Sequence, residues 1–127
     1  MGLSHSPRIV TSGLVGYWDA GNAESYPGSG TTWYDITGNG NNGTLINGPI
    51  YTNTNGGSIV FDGINDYINL GSTSLSSTVS SLTISMFIKI AKVNTKQSLI
   101  SSYTSSPQSG WGVELLSNNT INFFGFT

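Results

Sequence analysis

Residues 58–70 read SIVFDGINDYINL, and this stretch decides the fold class of the chain. Two short apolar runs, SIVF and YINL, flank the turn-forming sequence DGIND. Asp, Asn and Gly tolerate positive φ angles, and short apolar runs separated by such residues are typical of a β-hairpin. The stretch therefore predicts two antiparallel strands, 58–62 and 67–71, joined by a tight turn.

The clearest strand pattern follows in Leu82–Ile90, where apolar and polar residues alternate. One face carries only apolar side chains, those of Leu82, Ile84, Met86, Ile88 and Ile90. The other face carries Thr83, Ser85 and Lys89, and Phe87 interrupts it. A strand with one apolar face and a second, partly covered face is typical of a two-layer β-sandwich.

Short apolar runs of this kind recur along the whole chain after residue 12. They predict strands at 14–18, 43–46, 50–52, 58–62, 67–71, 82–90, 97–102, 111–116 and 120–126. About half of the residues are Gly, Ser, Thr or Asn, which suits frequent turns. The predicted fold class is therefore all-β, an antiparallel β-sandwich formed by residues 13–127, with residues 1–12 as an N-terminal arm.

The composition excludes several classes of function. The chain has 127 residues, of which 8% are charged, and its formal net charge is −2. Its 4 basic residues cannot form the positive surface that nucleic acids or anionic membranes require. No apolar run approaches the roughly 20 residues of a membrane helix, and residues 1–12 lack the apolar core of a signal peptide. The absence of cysteine excludes disulfides and thiolate sites.

The last predicted strand, 120–126, is rich in apolar residues and is followed only by Thr127. Such a strand at the exposed edge of a sheet would be prone to aggregation. Either it pairs inside the sheet, or another chain covers it, or the domain continues past residue 127. The last two alternatives are favoured, so we expect a sandwich that is incomplete at its C-terminus or completed by a partner.

Three stretches, in this order and spacing, resemble one known family. They are GLVGYW at 13–18, YDITGNGNNGTL at 34–45 and SIVFDGINDYI at 58–68, and LTISMFI at 82–88 matches the strand that follows in that family. The family is the laminin-G-like, or concanavalin A-like lectin/glucanase, jelly roll. Residues 19–33 resemble the variant found in bacteriophage virion and tail-associated proteins. The resemblance implies a concanavalin A-like jelly-roll fold and a carbohydrate-binding role.

Catalysis is not expected from the acidic residues. The glycoside hydrolases of this fold usually present Glu-x-Asp-x-x-Glu on one strand, because hydrolysis needs two carboxylates across a cleft. That motif is absent, and Glu114 is the one acid on its strand, where exposure to water is expected. The only histidine, His5, lies in the predicted arm and cannot supply a preorganised catalytic group. The chain is therefore predicted to have no catalytic residues and not to be an enzyme.

Candidate metal ligands lie in the loop DITGNGN, which begins at Asp35. Its oxygen-bearing residues are spaced like the first half of a calcium-binding loop, but Ile46 stands where the closing glutamate would be. Oxygen atoms of Asp35, Asn39 and Asn41 could hold Ca²⁺, and the family resemblance implies calcium at the rim of the sandwich. The alternative is that the Asn-Gly steps only form a left-handed turn.

Aromatic rings in and beside the loops are candidate platforms for sugars, because flat rings stack on the apolar faces of pyranoses. The predicted glycan-binding residues are Tyr26, Trp33, Tyr34, Tyr103 and Trp111. For each ring the alternative is ordinary packing. Trp18 and Tyr67 lie on predicted strands among apolar residues and are predicted to be core.

These observations predict a non-catalytic carbohydrate-binding or adhesion module on a virion or other extracellular surface. A phage virion or tail protein that contacts host-surface glycans fits the resemblance best. The alternative is a structural or decoration subunit without a glycan ligand, which contacts other virion subunits or copies of itself through the arm and the end strand. The oligomeric state separates the two, because a monomer in solution would argue against a covered end strand.

Overall fold

The structure is a computed structural model, and it describes residues 9–71, 81–105 and 108–126. Within these ranges the side chains of residues 103–105, 108, 109 and 126 lie outside the description. The chain forms two compact units, unit 1 (Met1–Thr73) and unit 2 (Ser74–Thr127). Most of the predicted arm, residues 1–8, lies outside the described residues.

Unit 1 contains two small antiparallel sheets. The first has the strand order β1-β2-β5, with β1 at Thr32–Trp33, β2 at Gly43–Ile46 and β5 at Tyr67–Asn69. The second pairs β3 (Ile50–Thr52) with β4 (Ser58–Val60), and a short 3₁₀ turn at Thr54–Gly56 lies between them. Buried apolar residues of this unit include Ala20, Tyr26 and Leu45.

The hairpin predicted within residues 58–71 is wrong, because β4 and β5 belong to different sheets. β4 pairs with β3, whereas β5 pairs with β2. The connecting loop binds its own backbone instead of closing a ladder. Asp66 Oδ2 accepts the N–H of Asp62 at 3.0 Å, and Asp62 Oδ1 accepts the N–H of Ile64 at 2.8 Å. The two carboxylates thus bind the backbone of the loop from which the two strands diverge.

Unit 2 contains a three-stranded antiparallel sheet in the order β6-β7-β8. Its strands are β6 (Gln97–Ser105), β7 (Gln108–Leu115) and β8 (Ile121–Phe126). In the turn between β7 and β8, Asn119 has a φ of 64°. The buried apolar residues of the sheet include Trp111 and Leu115.

Residues 14–18 do not form the predicted strand. A backbone hydrogen bond, from the N–H of Ile36 to the carbonyl of Tyr17 at 3.0 Å, binds this segment, and side chains make other bonds to it. The N–H of Tyr17 donates to Asp35 Oδ1 at 3.0 Å. The carbonyl of Val15 accepts from Nδ2 of Asn39 at 3.0 Å and from Nδ2 of Asn41 at 2.8 Å. The sequence did not predict strand β1, because a strand of two residues is too short to show alternation.

Residues 82–90 also lack strand pairing, although they carry the clearest alternation in the sequence. Ile84, Met86 and Ile88 of the predicted apolar face line a groove with side chains of the unit 2 sheet, Leu99, Val113 and Ile121, and Ser85 of the predicted polar face lines it as well. Phe87 is fully exposed. Alternation therefore predicted the side-chain directions only in part, and a strand also requires a neighbouring backbone to bond.

The predicted all-β class with antiparallel strands is confirmed, and the arrangement is compatible with a β-sandwich. Every strand pairing in the described part of the chain is antiparallel. Among the described residues, no helix has the length and apolar character needed to cross a membrane.

Candidate functional site

The candidate site is the loop from Tyr34 to Asn42 in unit 1, and Asp35 is its centre. The Asp35 residue is only 7% exposed. Its Oδ1 accepts the N–H groups of Tyr17 and Thr37, both at 3.0 Å, and its Oδ2 accepts the N–H of Asn41 at 3.1 Å. The Thr37 hydroxyl adds contacts of 2.7 and 2.8 Å to the two oxygens. One carboxylate thus fixes both sides of the loop and the segment beside it.

Three asparagines complete the attachment of this loop. Asn39 donates from Nδ2 to the carbonyls of Leu14 and Val15, at 3.1 and 3.0 Å. Oδ1 of Asn42 accepts the N–H of Asp35 at 2.9 Å. The carbonyl of Asn41 accepts the indole N–H of Trp18 at 3.0 Å, and this half-buried ring is thereby oriented. The loop is preorganised by neutral donors around one negative charge.

These hydrogen bonds stabilise the ionised form of Asp35. Burial alone would raise the pKa of its carboxyl group, because burial penalises the charged form. The bonds donated by Thr37, Tyr17 and Asn41 outweigh burial, so the pKa lies below its usual value. Asp35 is therefore a permanently charged acceptor near neutral pH, without the raised pKa that would suit a general acid.

The predicted calcium ligands Asp35, Asn39 and Asn41 do lie together, but the carboxylate oxygens of Asp35 are already engaged. Both oxygens of Asp35 accept N–H and O–H donors, which occupy the lone pairs a cation would need. No group of three or more His, Cys, Asp or Glu side chains that could hold a metal ion occurs among the described residues. The residues as arranged do not fit a calcium site centred on Asp35, and calcium remains an untested prediction.

Tyr34 is the most exposed of the predicted sugar-binding aromatics whose side chains the structure describes, at 44%. Its backbone is fixed by Ser25, which is completely buried. The N–H of Tyr34 donates to the carbonyl of Ser25 at 2.8 Å, and the Ser25 hydroxyl donates to the carbonyl of Tyr34 at 2.7 Å. The same hydroxyl oxygen accepts the N–H of Asp19 at 3.0 Å. A rigid backbone therefore presents an exposed ring.

Trp33 precedes Tyr34 in the chain and is half-buried in β1. Its indole Nε1 is buried and has no hydrogen-bond partner in the described part of the chain. An unpaired buried indole N–H carries a desolvation cost. Sequence patterns gave no sign of this unpaired group.

Two other predicted sugar platforms are not at the surface. Tyr26 is 4% exposed; its ring lies 5.2 Å from that of Tyr51 and its hydroxyl donates to the carbonyl of Gly30 at 2.8 Å. Trp111 is 6% exposed, in the middle of β7. Packing explains both rings, because neither presents a face for stacking. The side chain of Tyr103 lies outside the described residues, and its backbone belongs to β6.

The prediction that Tyr67 is core is wrong, because this residue is 50% exposed on β5. The alternation of YINL was correct, but it placed Ile68 rather than Tyr67 on the inner face. Tyr67 is thus a second exposed tyrosine of unit 1, outside the candidate loop.

Glu114 is not the water-facing acid that the sequence suggested, since it is 8% exposed. Its Oε2 lies 2.9 Å from Nζ of Lys96, and its Oε1 accepts Nδ2 of Asn122 at 3.0 Å. The hydrogen bond to Lys96, and then that from Asn122, lower the pKa of its carboxyl group. This arrangement joins the ends of neighbouring strands in unit 2.

The site also depends on residues that were not among the predicted site residues: Thr37 and Asn42 in the loop, and Ser25 outside it. Each of them bonds a backbone group or the Asp35 carboxylate. The signal that could have found Thr37 is its place two residues after Asp35, the spacing of an Asx or Ser/Thr turn. Ser25 and Asn42 have no local signal, because their partners lie nine and seven residues away.

Comparison with known proteins gives a structural likeness only. No protein-family model matches the sequence, and no curated protein matches it. The chain is similar to the 2.1 Å crystal structure of an S-layer domain-containing protein (residues 221–444) from Clostridium thermocellum, with a TM-score of 0.70 and 22% identity. The match covers 89% of this chain and 51% of that chain, so this chain spans about half the length of that structure. At this identity the likeness concerns the fold alone.

Proposed function

We propose that this chain is a non-catalytic carbohydrate-binding domain displayed on an extracellular surface, with Tyr34 as the ring on which a sugar stacks. The observation that carries the proposal is the exposure of this ring, 44%, on a backbone held by the buried Ser25. A stacking platform gains from such rigidity, because little conformational entropy is lost when the ligand binds.

Polar groups for the sugar hydroxyls lie in the same loop. Asn42 is exposed, and its Nδ2 group makes no hydrogen bond within the described part of the chain, since only its Oδ1 is engaged. The Oδ1 atom of Asn39 is likewise unbonded among the described residues, since that side chain uses only its Nδ2. One donor and one acceptor in the same loop as an exposed ring are the kinds of group that pyranose recognition uses.

The surface location has two supports. The resemblance of residues 13–88 to laminin-G-like domains includes a variant that occurs on phage virions and tails, and this favours a particle that contacts host-surface glycans. The S-layer domain-containing protein of similar fold supports a surface location in general. We place the domain on a virion or tail, with a bacterial cell surface as the broader setting.

The experiment is a screen of the whole chain on an array of glycans and bacterial surface polysaccharides. Tyr34→Ala is compared with Tyr67→Ala, a matched control because Tyr67 is a tyrosine of the same unit and is 50% exposed. We expect Tyr34→Ala to lose binding and Tyr67→Ala to keep it.

Two results of that screen would overturn the glycan proposal or the role of Tyr34. A folded chain that binds no glycan would reject it, and equal loss in both tyrosine variants would reject the role of Tyr34. Parallel arrays with Ca²⁺ and with EDTA test the calcium prediction. Because the oxygens of Asp35 are engaged by donors, we expect EDTA to leave binding unchanged.

A second candidate function, a structural subunit, is favoured by the edge strand β8. In the described sheet β8 pairs only with β7, and it exposes Ile121 at 58% and Phe123 at 61%. Its sequence, INFFGF, contains no charged residue that would oppose edge-to-edge pairing. A second copy of the chain, paired antiparallel along this edge, would satisfy its backbone and cover both side chains.

Light scattering during size-exclusion chromatography tests this second candidate. We expect a dimer that Phe123→Lys dissociates and that Ile50→Lys leaves intact, since Ile50 is also exposed, at 69%, but lies in unit 1. A monodisperse monomer at high protein concentration would contradict the subunit role and would leave the glycan proposal standing.

A further inference from the structure

The sequence contains four asparagines that are followed directly by glycine, at positions 39, 42, 47 and 55. In such a step the backbone nitrogen of the glycine can attack Cγ of the asparagine, and ammonia leaves as a five-membered succinimide closes. Water then opens the ring at either carbonyl to give aspartate or isoaspartate. Glycine favours this reaction because it places no side chain beside the attacking nitrogen and leaves the backbone free to turn.

Three of the four side chains are restrained in the folded chain. Asn39 donates to two carbonyls, and Asn42 accepts the N–H of Asp35 at 2.9 Å. Asn47 donates to the carbonyl of Asn65 at 2.6 Å. For Asn42 the following residue is also the buried first residue of β2. Cyclisation at these positions must first break a hydrogen bond that holds the loop.

Asn55 differs from the other three. It is exposed, and its side chain makes no hydrogen bond within the described part of the chain. It lies in the 3₁₀ turn at Thr54–Gly56 with φ 54° and ψ 32°, and Gly56 and Gly57 follow with φ angles of 90° and 103°. The two glycines suit this conformation, and Asn55 keeps an exposed side chain that no hydrogen bond among the described residues holds away from the nitrogen of Gly56.

We propose that Asn55 is the site of succinimide-mediated deamidation in the folded protein, and that the isoaspartyl product separates this turn from the turn at residues 19–22. The reaction balances as loss of one ammonia and gain of one water, and it requires no further reactant. Isoaspartate routes the main chain through the former side chain, and this adds one methylene group to the backbone.

The added methylene matters because the two turns touch backbone to backbone. A Cβ atom placed on Gly57 would lie 2.6 Å from the carbonyl oxygen of Ala20 and 2.7 Å from Cα of Gly21. The contact therefore has no room for additional atoms. A longer main chain at residue 55 must displace one turn from the other.

The test begins with incubation of the whole chain at mildly alkaline pH, in buffer and in concentrated urea. Tandem mass spectrometry locates each mass increase of about 1 Da, and enzymatic isoaspartyl methylation identifies the isoaspartyl product. We expect modification in buffer to be concentrated at Asn55, and modification in urea at all four asparagines. Equal rates at the four positions in buffer, or a faster rate at Asn39 or Asn42, would overturn the proposal.

Two variants separate the parts of the proposal. Asn55→Gly removes the reactive amide and suits a positive φ, so the modification in buffer should disappear. Asn55→Asp adds the charge without lengthening the main chain, and aspartate tolerates this conformation. We expect Asn55→Asp to melt like the unmodified chain and the purified isoaspartyl form to melt at a lower temperature. An equal fall in melting temperature for Asn55→Asp and for the isoaspartyl form would overturn the claim that the longer main chain separates the turns.

Discussion

The two compact units of this chain fix their backbones in different ways. In unit 1 no described strand exceeds four residues, and the segment 14–18 is bound by side chains of the loop around Asp35. In unit 2 the strands β6, β7 and β8 have nine, eight and six residues and pair along their length. Side chain-to-backbone hydrogen bonds hold much of the backbone in unit 1, whereas strand pairing holds the backbone of the sheet in unit 2.

The difference explains how a chain with 8% charged residues and many small polar residues forms a defined structure. A ladder needs only a neighbouring strand, so many sequences can form it. Bonds from a side chain to a distant backbone group need one residue type at one position. Single substitutions should therefore act very unequally in the two units.

The substitution Asp35→Ala should have the largest effect, because it leaves the partly buried N–H groups of Tyr17, Thr37 and Asn41 without an acceptor. At about 1–3 kcal/mol for each unsatisfied buried group, we expect a loss of about 3 kcal/mol or more. Hydrogen exchange should speed up at these amides and stay slow in β7. Glu24→Ala, which removes an exposed carboxylate of the same unit, is the control. If hydrogen exchange sped up equally in β7, the proposed contrast between the two units would be wrong.

Within unit 2 the most sensitive position should be Gly112. A Cβ atom there would lie 2.5 Å from Cζ of Phe124, whose ring covers the glycine. Gly112→Ala must displace this ring, and we expect a cost of about 1–3 kcal/mol in thermal unfolding. Gly125→Ala in the same sheet is the control, since its nearest neighbour is 3.9 Å away. A melting temperature that Gly112→Ala leaves unchanged would mean that the ring moves freely.

Acid should weaken unit 1 through Asp35. The pKa of this carboxyl group is lowered in the folded chain, so the unfolded chain takes up its proton first as the pH falls. Its stabilising contribution is therefore complete above the ordinary value of 3.8 and is lost as the pH drops through the folded pKa. The free energy of unfolding, measured between neutral and acidic pH, should show this loss. Asp35→Asn should make the free energy of unfolding depend less steeply on pH. An unchanged slope in that variant would assign the acid sensitivity to other groups.

The smallest effect is expected at the ion pair of unit 2. Lys96 lies 2.9 Å from Glu114, but its side chain is 67% exposed, and solvent screens such pairs. Lys96→Gln should lower the melting temperature slightly at low salt and hardly at high salt. Lys89→Gln, at an exposed lysine of the same unit, should have no salt-dependent effect. A large loss at high salt would show that the pair supports the sheet by packing.

The fold could be predicted from sequence where a strand is long enough to alternate or is bounded by turn residues. The bounds 43–46 and 50–52 were predicted as observed, and the strands of unit 2 were found to within a few residues. The hydrogen-bond partners could not be predicted, because alternation describes side-chain directions and not neighbours. This is why 82–90 and the 58–71 hairpin were wrong.

Several residues of the candidate site were predicted from the sequence, but their hydrogen bonds and burial were not. Asp35, Asn39 and Asn41 were identified as a cluster from their spacing, and they do lie together. Their interpretation as cation ligands overlooked the backbone N–H groups of residues 17 and 41, which compete for the same oxygens. Burial separated Tyr26 and Trp111 from Tyr34, and burial depends on contacts that no local pattern records.

The strand order has a consequence for how the chain folds. In unit 2 each strand pairs with the next one along the sequence, so each pairing closes only a short loop. In unit 1 β2 pairs with β5, and β3 and β4 form their own pair between them. Non-local pairing is slower because loop-closure entropy is lost before the contact forms. During refolding, amides of β7 should become protected before those of β2.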